Sequence, residues 1–229
     1  MKNLLYFLIL SSFLIFACNS SEKGTSENTG DSNTTQTSEE QIKTDRPADS
    51  KGKFLVKSAL IEFESVMMGM TQNMLMYIDN WGELTRIEMK GEFMGMKTHS
   101  VNITKDSVQY IIDMTKKTGQ KVKMEKAGTP ENIDFTALTD DVIKEFNLKK
   151  EGTEEFLGKK CDKYSMSYPK TKMKGTYLVW MGIPLKTDVS VAGLAMTMTA
   201  KKIDLDAKIS PDLFEVPAGI KITEGLNFQ

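Results

Sequence analysis

The nucleophiles and soft ligands of this 229-residue chain are few and unevenly placed: one histidine, two cysteines and sixteen methionines. His99 falls in an alternating run over residues 97–104. A Ser-His-Asp relay needs a positioned carboxylate and an exposed nucleophile, and nothing in the sequence picks them out. Gly-x-Ser-x-Gly, His-Glu-x-x-His and phosphate-binding glycine loops are absent from the sequence. One His and one further Cys cannot close a four-ligand zinc site without carboxylates or water. The pairs Asp140-Asp141 and Glu154-Glu155 read as a helix start and a solvated turn. The expectation is a chain that is not an enzyme, with no metal and no cofactor.

The methionines cluster as Met67-Met68-Gly69-Met70, Met74-Leu75-Met76, Met94-Gly95-Met96 and Met196-Thr197-Met198. Thioethers are soft ligands that select Cu(I). They are also flexible, polarizable apolar groups that suit surfaces accepting varied hydrophobic ligands. Met74 and Met76, like Met196 and Met198, are two apart, so each pair shares one face of a strand. Plain core packing ranks first, a hydrophobic ligand surface second and copper third, since His99 is distant in sequence. Trp180 alternates with Thr176 and Leu178 and reads as core; Trp81 reads as a turn anchor. Cys161 sits in a strand-like run and reads as a small buried side chain rather than a reactive thiol.

Cys18 is different. Met1-Lys2-Asn3 is a short cationic start, Leu4 to Phe16 is a run of apolar and hydroxyl residues, and Ala17 precedes the thiol. That order describes a secretory signal over 1–17. Thirteen residues are too few for a span of about twenty. Ile15-Phe16-Ala17-Cys18 resembles a bacterial lipobox, although Phe16 is larger than is usual at its position. The resemblance implies cleavage before Cys18 and attachment of lipid, palmitate included, to its sulfur. One acyl chain holds only marginally, whereas two or three hold a protein on a membrane almost permanently.

Removal of Lys2 with the signal leaves 29 of the 30 basic residues against 31 acidic ones, a net charge of −2. That balance argues against nucleic acid as a partner. Residues 18–50 comprise the lipidated Cys and a tether. Of the 32 residues 19–50, twelve are Ser or Thr and seven are acidic, too little apolar surface to offset chain entropy. Residues 51–229 suit one domain with one core.

Within that domain the hydrophobic period is two. In Leu55–Met67, Ala59, Ile61, Phe63 and Met67 alternate with polar Ser58, Glu62 and Glu64. Alternating runs follow at Met70–Asp79, Leu84–Met94, Lys97–Thr104, Ser107–Thr115 and Gln120–Glu125, and again at Glu155–Ser167, Gly175–Met181, Leu185–Val191 and Leu194–Leu205. Turn residues separate them. This is the pattern of an antiparallel meander with one buried face. Between the two sets, Phe135, Leu138, Val142 and Phe146 recur at three and four residues and predict helix within Asn132–Leu148, with Thr139 as N-cap. Pro211–Gly219 should plant Leu213, Phe214 and Val216 in the core. About ten strands and one helical segment are expected, a mainly β (α+β) domain.

Three segments, Glu155 to Tyr164, Tyr177 to Lys186 and Leu213 to Gly219, together resemble the DUF4412-type family of bacterial envelope lipoproteins. That family is similar in turn to the LolA/LolB-like lipoprotein-carrier fold. The resemblance implies a curved antiparallel sheet, an unclosed half-barrel with the helix on its concave face, and no catalytic residue. It implies a bacterial cell-envelope location, lipid-anchored at the outer membrane. The reading is a monomeric envelope lipoprotein, attached to the membrane through its N-terminal lipid, that binds an acyl chain or other hydrophobic small molecule without catalysis. Ile61, Phe63, Met74, Met76, Trp180, Met196 and Met198 are its expected ligand-facing residues. The alternatives are a structural or interaction lipoprotein with no small ligand, and a copper-binding methionine-rich envelope protein.

Overall fold

The computed structural model describes residues 45–93, 95–123 and 133–225. The signal, Cys18 and the tether as far as residue 44 lie outside them. Twelve strands are described: β1 Ala59–Met67, β2 Met70–Asp79, β3 Leu84–Phe93, β4 Met96–Lys105, β5 Val108–Asp113, β6 Thr118–Lys123, β7 Lys149–Phe156, β8 Lys159–Tyr168, β9 Met173–Trp180, β10 Ile183–Val191, β11 Leu194–Asp204 and β12 Lys221–Glu224. One helix, α1, spans Asp140–Glu145.

The strands form one unclosed sheet in the order β12-β6-β5-β4-β3-β2-β1-β11-β10-β9-β8-β7. The mainly β prediction therefore holds. Neighbours are antiparallel except β12, which pairs in parallel with β6. The first six strands form one meander and β7 to β11 a second. The two join where β1 pairs with β11, Ile61 opposite Ile203 and Phe63 opposite Ala200. Bulges interrupt the register at Glu62/Phe63 and at Pro184/Lys186. A bulge bends its strand and deepens the local twist.

The count exceeds expectation for two reasons. The single strand expected at Glu155–Ser167 is two, β7 and β8, because Leu157 and Gly158 both take positive φ and close a two-residue turn. Most of β7 is exposed, so alternation gave it no signal. The other addition is β12, only four residues long.

The helical segment is shorter than its periodicity. The Val142 N–H donates to Thr139 Oγ1 at 3.4 Å, and Asp140 and Asp141 favour the N-terminal turn. Asn147, at φ 42°, ends it in the left-handed region. Val142 and Phe146 still pack on the sheet together with Phe135 and Leu138. The expected closing turn is present as a 3-10 turn at Pro211–Phe214, with Phe214 buried.

Buried side chains fall into three clusters. The first joins β1, β2, β8, β9, β10 and β11 with Phe54 and Val56 from the preceding segment. The second joins β8, β9 and β10 to Ile133, Phe146 and Leu148. The third joins β4 and β5 to Phe214. Strand β9 lies between the first two: Leu178 and Trp180 enter the first, Tyr177 and Val179 the second. Successive side chains point to opposite faces, so the α1 segment packs on the side of β9 away from Leu178 and Trp180. A strand buried on both faces reads as a continuous apolar run, as Tyr177-Leu178-Val179-Trp180 does.

Candidate functional site

Six of the seven candidate ligand residues share the first cluster. Ile61, Phe63, Met74 and Trp180 are buried members, and Met76 and Met198 pack against it half-buried. Met196 packs instead against the second cluster. Cross-strand register explains the grouping. Ile61 lies opposite Met76, which lies opposite Ile87; Phe63 lies opposite Met74, which lies opposite Met89. Residues directly opposite share a face, so these rows form one apolar floor.

Burial along the floor is graded. At one end Ala59 and Ile78 are fully buried, followed by Ile61 and Phe63. At the other end Ser65, Met67, Met70, Met196 and Met198 are all half-buried. The buried end is closed by the chain itself. The Phe54 N–H donates to the Trp81 carbonyl at 2.9 Å, and the Leu55 N–H to the Met181 carbonyl at 3.0 Å. Arg46 Nη1 donates to the Gly52 carbonyl at 3.0 Å and to Thr136 Oγ1 at 3.3 Å. Ser50 Oγ donates to Glu83 at 3.0 Å. Residues 46–50, placed by composition in the tether, thus bond to the body. Glycines permit this closure. Gly82 (φ 90°) lies under the Phe54 ring, and Gly182 (φ 83°) lies against the Lys53 carbonyl, so a Cβ on either would collide at 2.4 and 2.8 Å.

Cys161 belongs to this cluster and is 0% exposed. Burial pushes its thiol pKa up to about 11, and Asp162 and Glu154 add to the effect. A thiol so placed is neutral and shielded at neutral pH, as the apolar reading expected. Lys159 Nζ sits 4.9 Å from the Trp180 ring centroid, close enough for a cation–π contact.

The opposite face carries a polar group that sequence reasoning missed. Glu88 accepts from Arg86 Nη2 at 3.2 Å and from Lys90 Nζ at 2.7 Å, and lies 2.9 Å from His99 Nε2. Arg86 Nη1 donates to the Leu213 carbonyl at 3.1 Å, tying the 3-10 turn to the sheet. Burial works against the Glu88 carboxylate, yet the hydrogen bonds and charges of Lys90 and Arg86 hold its pKa below the usual range. The signal was legible as Arg86, Glu88 and Lys90 at period two. Their convergence with His99 depended on strand pairing, Lys90 opposite His99. His99 therefore faces away from Met74 and Met89, and the structure does not bring the histidine and the methionine floor together. No group of three His, Cys, Asp or Glu side chains suited to a metal occurs among the described residues.

A cleft of about 320 Å³ lies beside the β4–β5 turn, between Lys105, Tyr110, Lys121 and the Phe214–Val216 segment. That is the low end of the range for small-ligand pockets.

No family model matches the chain, and no curated protein matches it by sequence. Solved structures do resemble it. An uncharacterized conserved protein from Thermus thermophilus is 10% identical, with a TM-score of 0.50, covering 75% of this chain and 92% of its own. At that identity the likeness concerns the fold alone. A chain of the Pseudomonas aeruginosa MucA/MucB complex is 12% identical at a TM-score of 0.45, covering 72% of this chain and 58% of the other. A putative outer membrane lipoprotein-sorting protein domain from Vibrio parahaemolyticus is 9% identical at a TM-score of 0.37, covering 72% and 91%. The last two scores are too low to carry an argument. The comparisons thus show a shared fold with the Thermus protein and no family match to the DUF4412 type.

Proposed function

We propose that this protein is a DUF4412-type envelope lipoprotein, anchored through Cys18 at the outer membrane, that binds a lipid or other hydrophobic molecule without catalysis. The observation that carries the ligand reading is the graded floor. From the closed end to the open one, fully buried Ala59, Ile61 and Ile78 give way to half-buried Met67, Met70 and Met198. Rigid β-branched residues hold the closed end, while flexible thioethers can yield to an acyl chain at the open one. Residues 15–18 support the anchor, and a monomer is the expected state.

The test is displacement of a fluorescent fatty acid from residues 44–229, a compact unit that contains every described strand and cluster. Met198→Asp and Met76→Asp would each place a carboxylate on the floor, and an unpaired buried charge is costly. Binding should fall in both, with Met→Gln milder and circular dichroism confirming folding. No binding by the wild type at micromolar probe would reject the reading for simple acyl ligands. Anchoring is tested separately: retention of a metabolic fatty-acid label by Cys18→Ala would reject lipidation there.

A further inference from the structure

The three most exposed large apolar side chains among the described residues lie on one rim of the sheet. Three neighbouring hairpins, β10–β11, β1–β2 and β3–β4, turn at the same end, because their six strands are consecutive in the sheet and antiparallel. Their turns carry Leu194, Met68 and Met96, which are 55%, 59% and 63% exposed. Neighbouring hairpins are two strand spacings apart, roughly 10 Å, so the three tips form a row about 20 Å long. The two hairpins that flank the row at this end, β5–β6 and β8–β9, carry exposed Lys117 and Lys172; Lys116 and Lys170 beside them are also exposed but pair with Asp113 at 2.9 Å and Glu145 at 3.0 Å. Lys97 follows Met96 directly and is exposed. Read across the rim, the order is basic, apolar, apolar, apolar, basic.

The fold does not ask for these tips. Met67 pairs with Met70 around Met68 (φ 53°) and Gly69 (φ 78°), a two-residue turn in which both central residues have positive φ. Asn-Gly or Asp-Gly is the favoured pair there. Methionine adopts that backbone at a cost and leaves its thioether in solvent. At the other end of the sheet Leu157 and Leu205 are also exposed, but less so, and the neighbouring tip residue Met181 packs against the first cluster.

We propose that this rim docks the domain on an anionic lipid bilayer, with Met68, Met96 and Leu194 entering the interface and the flanking lysines meeting headgroup phosphates. Apolar groups that bury a few ångströms deep beside basic residues bind by apolar area plus attraction to anionic lipid. The complementary charge on both sides of the row selects a membrane over a purely apolar partner. Docking here would turn the half-buried end of the methionine floor toward lipid. It requires neither the lipid on Cys18 nor a bound ligand, so residues 44–229 test it alone, and a failed fatty-acid displacement leaves it standing.

The experiment is flotation of residues 44–229 with vesicles of phosphatidylcholine alone, or with three parts in ten replaced by phosphatidylglycerol. The wild type should float with the anionic vesicles and less with the neutral ones. Met68→Asn combined with Met96→Gln and Leu194→Thr should lower the partition coefficient by about tenfold or more. Met68→Asn alone should lower it while holding or raising the melting temperature, because asparagine suits the turn; this single variant serves if the triple one fails to fold. Lys117→Gln with Lys172→Gln should reduce the preference for anionic vesicles. Failure of the wild type to float with either vesicle would overturn the proposal. So would equal flotation of the apolar variants, or a concentration-dependent dimer abolished by them without vesicle binding, which would assign the rim to a second copy.

Discussion

The two ends of the sheet solve the same problem in opposite ways. Every antiparallel sheet leaves a row of turns at each end. At one end the segment before β1 folds across: Phe54 is buried, the Trp81 and Met181 carbonyls accept from the Phe54 and Leu55 N–H groups, and Arg46 fastens the approach. At the other end the turns are left open and tipped with Met68, Met96 and Leu194. Apolar residues thus occur at both ends, but only one end buries them. Composition does not separate a structural methionine from an interfacial one; the presence or absence of a covering segment does.

The comparison breaks most visibly by substitution of Phe54. Phe54→Ala should cost about 3–5 kcal/mol in urea unfolding of residues 44–229, because the ring is 2% exposed and covers Gly82. Met68→Ala at the open end should stay within about 0.5 kcal/mol. Equal losses would mean that both ends carry structure alike. A thiol version sharpens the contrast. With its pKa at about 11, Cys161 has roughly one-hundredth of the thiolate of an ordinary cysteine at pH 8, and it is shielded besides. Maleimide should therefore modify Met68→Cys more than about a hundredfold faster than Cys161 in the native protein. Rapid labelling of Cys161 without denaturant would contradict the closed end.

Smaller effects test the fastenings. Arg46→Ala removes the hydrogen bonds to Gly52 and Thr136, and should cost about 1–2 kcal/mol in the same denaturation. No change would show the approach segment to be decoration on the closed end. The smallest effect concerns the brace between the ends. Against its burial, Glu88 has its folded pKa depressed by Lys90 and Arg86. Its contribution is therefore complete above the unfolded carboxylate range near about 4.3 and is lost as pH falls through the lower folded value. Glu88→Gln should flatten the acid limb of melting temperature against pH. An unchanged acid limb would remove Glu88 as its source.

Much of the fold could be read from alternation. Strands β1 to β5, β8, β10 and β11 announce themselves because one face is apolar and the other polar, and β9 does so as a continuous apolar run. β7 does not, since most of its residues are exposed, and β12 is too short to show a period. The helical spacing of Phe135, Leu138, Val142 and Phe146 correctly marked residues that meet the sheet, yet only Asp140–Glu145 closes as helix. A period reports which side chains are buried together; hydrogen bonding decides how much of the backbone follows it. The candidate site was legible to the same degree. Ile61, Phe63, Met74, Met76, Trp180 and Met198 converge, whereas Met196, two residues from Met198, joins the other cluster.

By itself the sequence determined what is local: the strand periods, the turns with their glycines, the apolar character of Cys161 and the lipobox-like run at Cys18. Those depend on neighbours within a few residues, where backbone sterics and side-chain alternation act. Tertiary structure alone decided which apolar residues are covered. It placed Trp180 and Val179 in different clusters, brought Arg86, Glu88 and His99 together across two strands, folded Phe54 over one end, and lined up Met68, Met96 and Leu194 at the other. Burial and register are relations between segments distant in sequence, so no local pattern carries them.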